Sequence, residues 1–373
     1  MRWLIAFLSG FSAGVCFVEL TSAEERPTAE ARAYSAAVER AVAFLTDKAQ
    51  APDGSYAAHA GPGVTAIVTT ALMRHGRSPQ DPVVAKSLKY LEGFVQPDGA
   101  ISLKESMYRN YETSLALVCF AVADRDGRYR TIIKNGEKFL KENQWTEAQG
   151  YNRSDPVYGG AGYGKHKRPD LSNTHFLLEA LRAAGAGPED EAVQKALIFV
   201  SRCQNLESEH NTLPFPAKNP DGGFYYTPAA GGVSQAGNTP EGGLRSYGSM
   251  TYAGLKSMLY AGLTADDPRV KAALKWIQQF YDLSSNPGLG DAGLYYYYHV
   301  FAKALDAAGI DILVDAQGRR HDWRGELRRE LLRRQRPDGS WVNNNDRWLE
   351  GEPSLVTGYV LLALSYCRPE KEK

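Results

Sequence analysis

The sequence predicts an all-α protein in which one helix–turn–helix unit is repeated around a common core. The first observation is a recurring turn. It reads Gln50-Ala51-Pro52-Asp53-Gly54-Ser55-Tyr56, then Gln96-Pro97-Asp98-Gly99-Ala100-Ile101, later Pro220-Asp221-Gly222-Gly223-Phe224, and last Gln335-Arg336-Pro337-Asp338-Gly339-Ser340-Trp341. The second observation is its flanks: an amphipathic stretch before each copy and a more uniformly apolar one after it.

Taken in order, the outer helices are expected at 36–45, 83–94, 131–142, 191–202, 269–281 and 324–334. Each alternates charges such as Lys86, Lys89 and Glu92 with apolar residues such as Leu88 and Leu91 at helical spacing. Inner helices are expected at 65–73, 113–123, 174–184, 251–261, 299–308 and 357–366, where small and apolar residues suit burial on most sides. Between them, proline presets the turn, aspartate accepts backbone hydrogen bonds, and glycine takes the positive φ that closes it. Asp53, Asp98, Asp221 and Asp338 are therefore read as turn closers rather than acids.

Thr65, Thr113, Thr174, Thr251 and Thr357 fall at one equivalent position near the start of the inner helices, and His299 takes that place in the fifth unit. Threonines there are expected to satisfy free backbone N–H groups. The histidine stands out as a candidate for chemistry.

Composition excludes some functions. Of 373 residues, 43% are apolar and 23% charged with zero formal net charge, so no basic face for nucleic acid is indicated. Arg2, an apolar run to Phe17-Val18 and the small residues Thr21-Ser22-Ala23 read as a signal peptide over 1–23, with an uncleaved anchor as the alternative. The expectation is a single exported domain over 24–373, periplasmic or extracellular. Cys119, Cys203 and Cys367 lie in apolar helical runs and read as buried, inert thiols. No phosphate-cradling glycine loop and no cofactor fingerprint is present.

Gln335-x-x-x-Gly339-x-Trp341 resembles the QW motif of triterpene cyclases, and the six degenerate helix pairs resemble the toroid of squalene–hopene cyclases and protein prenyltransferase β subunits. The resemblance implies an (α/α)6 toroid, six inner helices lining a funnel, with isoprenoid cyclase- or transferase-like activity. Two departures bear on that activity. The cyclase motif Asp-x-Asp-Asp-Thr is matched by Asp170-Leu171-Ser172-Asn173-Thr174, so a serine stands at the proton donor's position. A hydroxyl is far too weak an acid to protonate an alkene. The prenyltransferase zinc ligands are matched only by His299, since Ser249 replaces the cysteine, and one imidazole makes no zinc site.

Residues opening the inner helices are expected at the funnel: Tyr111 with Glu112, Asp170 with Asn173, Tyr247 with Ser249 and Tyr252, Tyr295 to His299, and Ser354. Asp170 and His299 are the catalytic candidates. Asn173, Arg245, Tyr247, Ser249, Tyr252, Tyr297 and Tyr298 are the binding candidates, the tyrosines as apolar and cation-stabilising walls. Convergent helix N-termini with Lys165, His166, Lys167, Arg168 and Arg245 suit a diphosphate or carboxylate. The long connections 149–168 and 205–248 are read as a roof or a partner surface.

The partner expected on this basis is an isoprenoid or other apolar small molecule, with no cofactor or metal, and with peripheral membrane contact left open. Two alternatives stand beside it: a non-catalytic scaffold of the same fold, and a polysaccharide-cleaving (α/α)6 enzyme using paired carboxylates, or Tyr or His with Arg, at the funnel mouth.

Overall fold

The computed structural model describes residues 28–164 and 168–369. The signal segment and the basic residues Lys165, His166 and Lys167 lie outside the described residues. The outer helices are α1 (Ala29–Phe44), α3 (Pro82–Glu92), α5 (Arg130–Glu142), α7 (Glu191–Arg202), α10 (Pro268–Gln279) and α12 (Trp323–Arg333). The inner helices are α2 (Pro62–Arg74), α4 (Arg109–Ala123), α6 (Leu171–Ala183), α9 (Gly248–Tyr260), α11 (Leu294–Ala307) and α13 (Pro353–Leu364). A four-residue helix, α8 (Phe215–Lys218), and a small hairpin, β1 (Leu313–Val314) with β2 (Arg320–His321), decorate the connections.

Each inner helix packs on the next, and α13 returns to α2, so the ring is closed. The Pro-Asp-Gly turn makes the junctions after α1, α3, α7 and α12. Its aspartate bonds the backbone two residues on, as Asp53 Oδ1 does with Ser55 N at 3.0 Å and Asp338 Oδ1 with Ser340 N at 3.0 Å. At three junctions a glutamine just after the outer helix reaches the first turns of the following unit's outer helix: Gln50 Nε2 donates to Val83 O, Gln144 Nε2 to Ala192 O, and Gln204 Nε2 to Arg269 O, at 2.8, 2.9 and 2.8 Å. Gln335 Nε2 donates to Ala37 O at 2.8 Å, which ties the last unit to α1. The glycine is required twice over. Gly339 has φ +90°, and a Cβ there would lie 2.3 Å from Arg40 O.

The threonines perform one job, although not that of a cap. Each hydroxyl accepts the N–H of the residue that follows the turn: Tyr56 to Thr65, Ile101 to Thr113, Ala161 to Thr174, Phe224 to Thr251 and Trp341 to Thr357, at 2.9 to 3.2 Å. These bonds fix how deep each turn sits against its inner helix. In the fifth unit the expected register is one residue off. Tyr298, not His299, is the counterpart, and its hydroxyl donates to Leu283 O at 2.6 Å. Counting five residues on from Thr174, Thr251 and Tyr298 gives Glu179, Lys256 and Lys303, which meet in space.

Candidate functional site

All six inner helices bring their first turns to one cavity of about 380 Å³, through Val64, Tyr111, Ser172, Ser249, Tyr296 and Leu355. The inner helices are therefore parallel. Tyr163, Tyr226, Gln235 and Tyr247, from the two long connections, complete the wall. Phe176 and Tyr359 form part of the floor.

The rim is apolar and exposed at Tyr108 and Trp348. Trp348 and Leu349 hold successive positive φ values of +57° and +66°. Such backbone costs roughly 1–3 kcal/mol per residue and persists only where the surroundings over-determine it.

Two carboxyls share this wall. Glu112, in the first turn of α4, accepts from Leu103 N at 3.2 Å and Ser106 Oγ at 2.9 Å. Glu350, in the loop before α13, accepts from Tyr296 N and Asn343 Nδ2 at 2.7 Å each. Burial raises the pKa of both above the ordinary carboxyl range, against the pull of these donors.

Beneath the floor lies a buried charged cluster. Glu179 is bracketed by Lys256, in direct contact with Oε1, and by Lys303 at 2.5 Å from Oε2. Burial alone would raise the Glu179 pKa, but the two ammonium groups outweigh it and hold the carboxylate ionised. Burial and the neighbouring Lys303 depress Lys256 to about 8, against the attraction of Glu179. Burial, aided by Lys256, lowers His175 to about 3, so its ring is neutral.

The expected site residues separate into different places. Tyr247 and Ser249 are on the cavity wall. Asp170 is buried behind it as the N-cap of α6, accepting from Asn173 N at 2.8 Å and from Asn173 Nδ2, with the Tyr226 hydroxyl its link towards the cavity. Burial lifts its pKa to about 6. Asn173 thus serves Asp170 and does not line the cavity. Arg245 is exposed and donates to Asn238 O at 2.9 Å, away from the wall.

The tyrosine run divides by helical angle. Tyr296 faces the axis, while Tyr297 donates to Asp282 O at 2.6 Å and packs with Tyr252 away from it, and Tyr298 locks the preceding loop. Tyr252, Tyr297 and Tyr298 are therefore packing residues between the rings. His299 lies below the floor, stacked on Tyr359, with Nδ1 unpartnered beside a void of about 30 Å³. Burial and Lys303 keep it neutral. Asp170 and His299 do not meet in one compartment.

Sequence reasoning passed over Glu350, Tyr163, Tyr226, Glu179, Lys256 and Lys303. For the last three a signal existed: charged residues in the middle of helices that are otherwise apolar. Among the described residues no group of three His, Cys, Asp or Glu side chains converges as a metal would need. No helix among them is long and apolar enough to cross a membrane.

Neither a family model nor a curated protein matches this chain. Solved structures do. A protein from Actinoplanes superposes with a TM-score of 0.50 at 18% identity, over 90% of this chain and 99% of that one. A glycosidase in complex with glucose gives 0.53 at 12% identity, over 91% and 97%. A glycosyl hydrolase of family 88 from Bacteroides vulgatus gives 0.51 at 13%, over 90% and 98%. A type II terpene cyclase from Scytonema aligns over 91% of this chain at 14% identity, but its TM-score of 0.35 carries no argument. At these identities the likeness concerns architecture: the chain is an all-α toroid of the (α/α)6 kind.

Proposed function

We propose that the toroid is a receptor or enzyme for one small, largely apolar molecule with an oxygen-bearing head, of the isoprenoid or lipid kind, in an exported protein. The observation that carries this reading is the cavity itself. About 380 Å³ enclosed mainly by tyrosine, phenylalanine, methionine and leucine is the size and character of a small-molecule site. The tyrosine faces suit an apolar chain, and their hydroxyls suit its head. The test is untargeted mass spectrometry of lipid extracted from the purified chain lacking residues 1–23. A bound lipid in the native protein, absent from a folded Ser249→Trp variant whose cavity is filled, is the expected result. The same lipid content in both proteins would overturn it.

A second reading, glycoside cleavage, is favoured by the shared cavity wall of Glu112 and Glu350. It requires that a panel of soluble polysaccharides release reducing ends with the native protein and not with Glu112→Gln. If neither lipid nor glycan is bound, the scaffold reading of the same fold is the one left.

A further inference from the structure

A hydrogen-bonded chain runs from the buried charges to the cavity. Tyr296 Oη lies 2.5 Å from His175 Nε2 and 3.3 Å from Ser172 Oγ. His175 Nδ1 lies 2.9 Å from Lys256 Nζ, which also touches Glu179. Neither His175 nor Lys256 has any solvent exposure.

The direction of the chain follows from what each group can do. An ammonium has three donors and no acceptor, so Lys256 donates to Nδ1. A neutral imidazole that accepts at Nδ1 carries its hydrogen on Nε2, and that hydrogen is donated to Tyr296 Oη. The phenol oxygen is then an acceptor towards His175, and its own hydrogen must point to Ser172 Oγ or into the cavity. The groups facing Lys256 are His175 and Glu179 from α6, Lys303 and His299 from α11, and Tyr260 on α9 itself. Lys303 keeps Glu179 paired whichever state Lys256 adopts.

We infer that Tyr296 is the hydrogen-bond donor of this site to a carbonyl oxygen in the head of an otherwise apolar molecule, its hydroxyl turned towards the cavity by the donors His175 and Lys256 behind it. The inference rests on the reading of the cavity as a small-molecule site. In the complex with such a molecule the Tyr296 O–H bond stays intact and polarises the ligand C=O, and no bond is made or broken.

Two measurements on the chain from residue 24 onwards test it. With 15N-labelled histidine and no ligand, the His175 signals, assigned by their loss in His175→Asn, should show the neutral Nε2–H tautomer at pH 6. The Nδ1–H tautomer, or an imidazolium, would overturn the wiring whatever the ligand is. The second uses geranylacetone labelled with 13C at its carbonyl. Bound to the native protein, the carbonyl signal should move downfield. In Tyr296→Phe, which keeps the ring and its packing, binding should weaken about threefold to tenfold and most of that shift should vanish. A shift retained in Tyr296→Phe overturns the donor role. Failure of the ketone to bind the native protein, with the tautomer as expected, sinks the apolar-ligand reading and the donor role with it, while the wiring stands.

Discussion

The Glu350 carboxylate, in the loop before the sixth inner helix, accepts the backbone N–H of Tyr296 at 2.7 Å in the fifth. It also takes Tyr295 N at 3.2 Å, so one side chain satisfies two free donors at the start of α11. The position of this tyrosine on the cavity wall is thus set by a carboxyl from the neighbouring unit. Glu350→Gln places an amide where an oxygen should accept, and should cost about 1–3 kcal/mol in urea unfolding. Glu112→Gln, whose partners are a loop N–H and a serine, should cost less. Equal losses would count against the capping role of Glu350.

Ring closure has its own signature. Gln335→Leu removes the bond to Ala37 O and leaves that carbonyl and Gly339 O without the side-chain donor. We expect about 1–3 kcal/mol of destabilisation, read by chemical unfolding. Faster amide exchange in α1 than in α7 should accompany it. Uniform exchange across the ring would show that this junction is not the weak one.

The buried charges should respond asymmetrically. Glu179→Gln leaves two ammonium groups beneath the floor without a counter-ion and should cost about 3–5 kcal/mol. Replacing Glu179, Lys256 and Lys303 together by methionine should recover most of that loss, because an apolar trio of similar volume carries no desolvation penalty. A triple variant less stable than Glu179→Gln would contradict this ranking.

Asp170 gives a pH dependence whose sign can be stated. Its pKa is raised from 3.8 to about 6 in the folded state, so the folded chain holds this proton more tightly than the unfolded one. Its contribution to stability is therefore greatest below pH 4 and is lost as pH rises to 6. The gap is worth about 3 kcal/mol. The stability of the native protein minus that of Asp170→Asn should fall over this window and stay flat above it. A difference that rises with pH would refute the assignment.

Much of the architecture was legible because the turn is a junction as well as a punctuation mark: Gln, Asp and Gly each have a partner that constrains residue type. The fifth unit lacks Pro-Asp-Gly, and without that anchor the register of Tyr298 and His299 slipped by one. On a helix a slip of one residue turns a side chain by about 100°, enough to exchange Tyr296 for its neighbours on the cavity wall. The site was less legible than the fold. Glu350, Tyr163 and Tyr226 come from connections whose path depends on tertiary contacts, and nothing in their local pattern marks them. Lys256 and Lys303 did carry a mark, a charge in the middle of an otherwise apolar helix, although a lysine on a helix normally seeks water.

The closed ring has a consequence for the order of the chain. Tyr34 donates to Leu364 O at 3.1 Å, and Arg328 joins Glu30 to Cys367 O, so α1 and α13 are held as neighbours. A short peptide could bridge residues 28 and 369, and the chain could be opened at the exposed tip of Pro240 to Gly242 instead. Such a circular permutant would begin in the middle of the present protein and still enclose the same tyrosine-walled chamber, because the hairpins meet in a circle that has no first member.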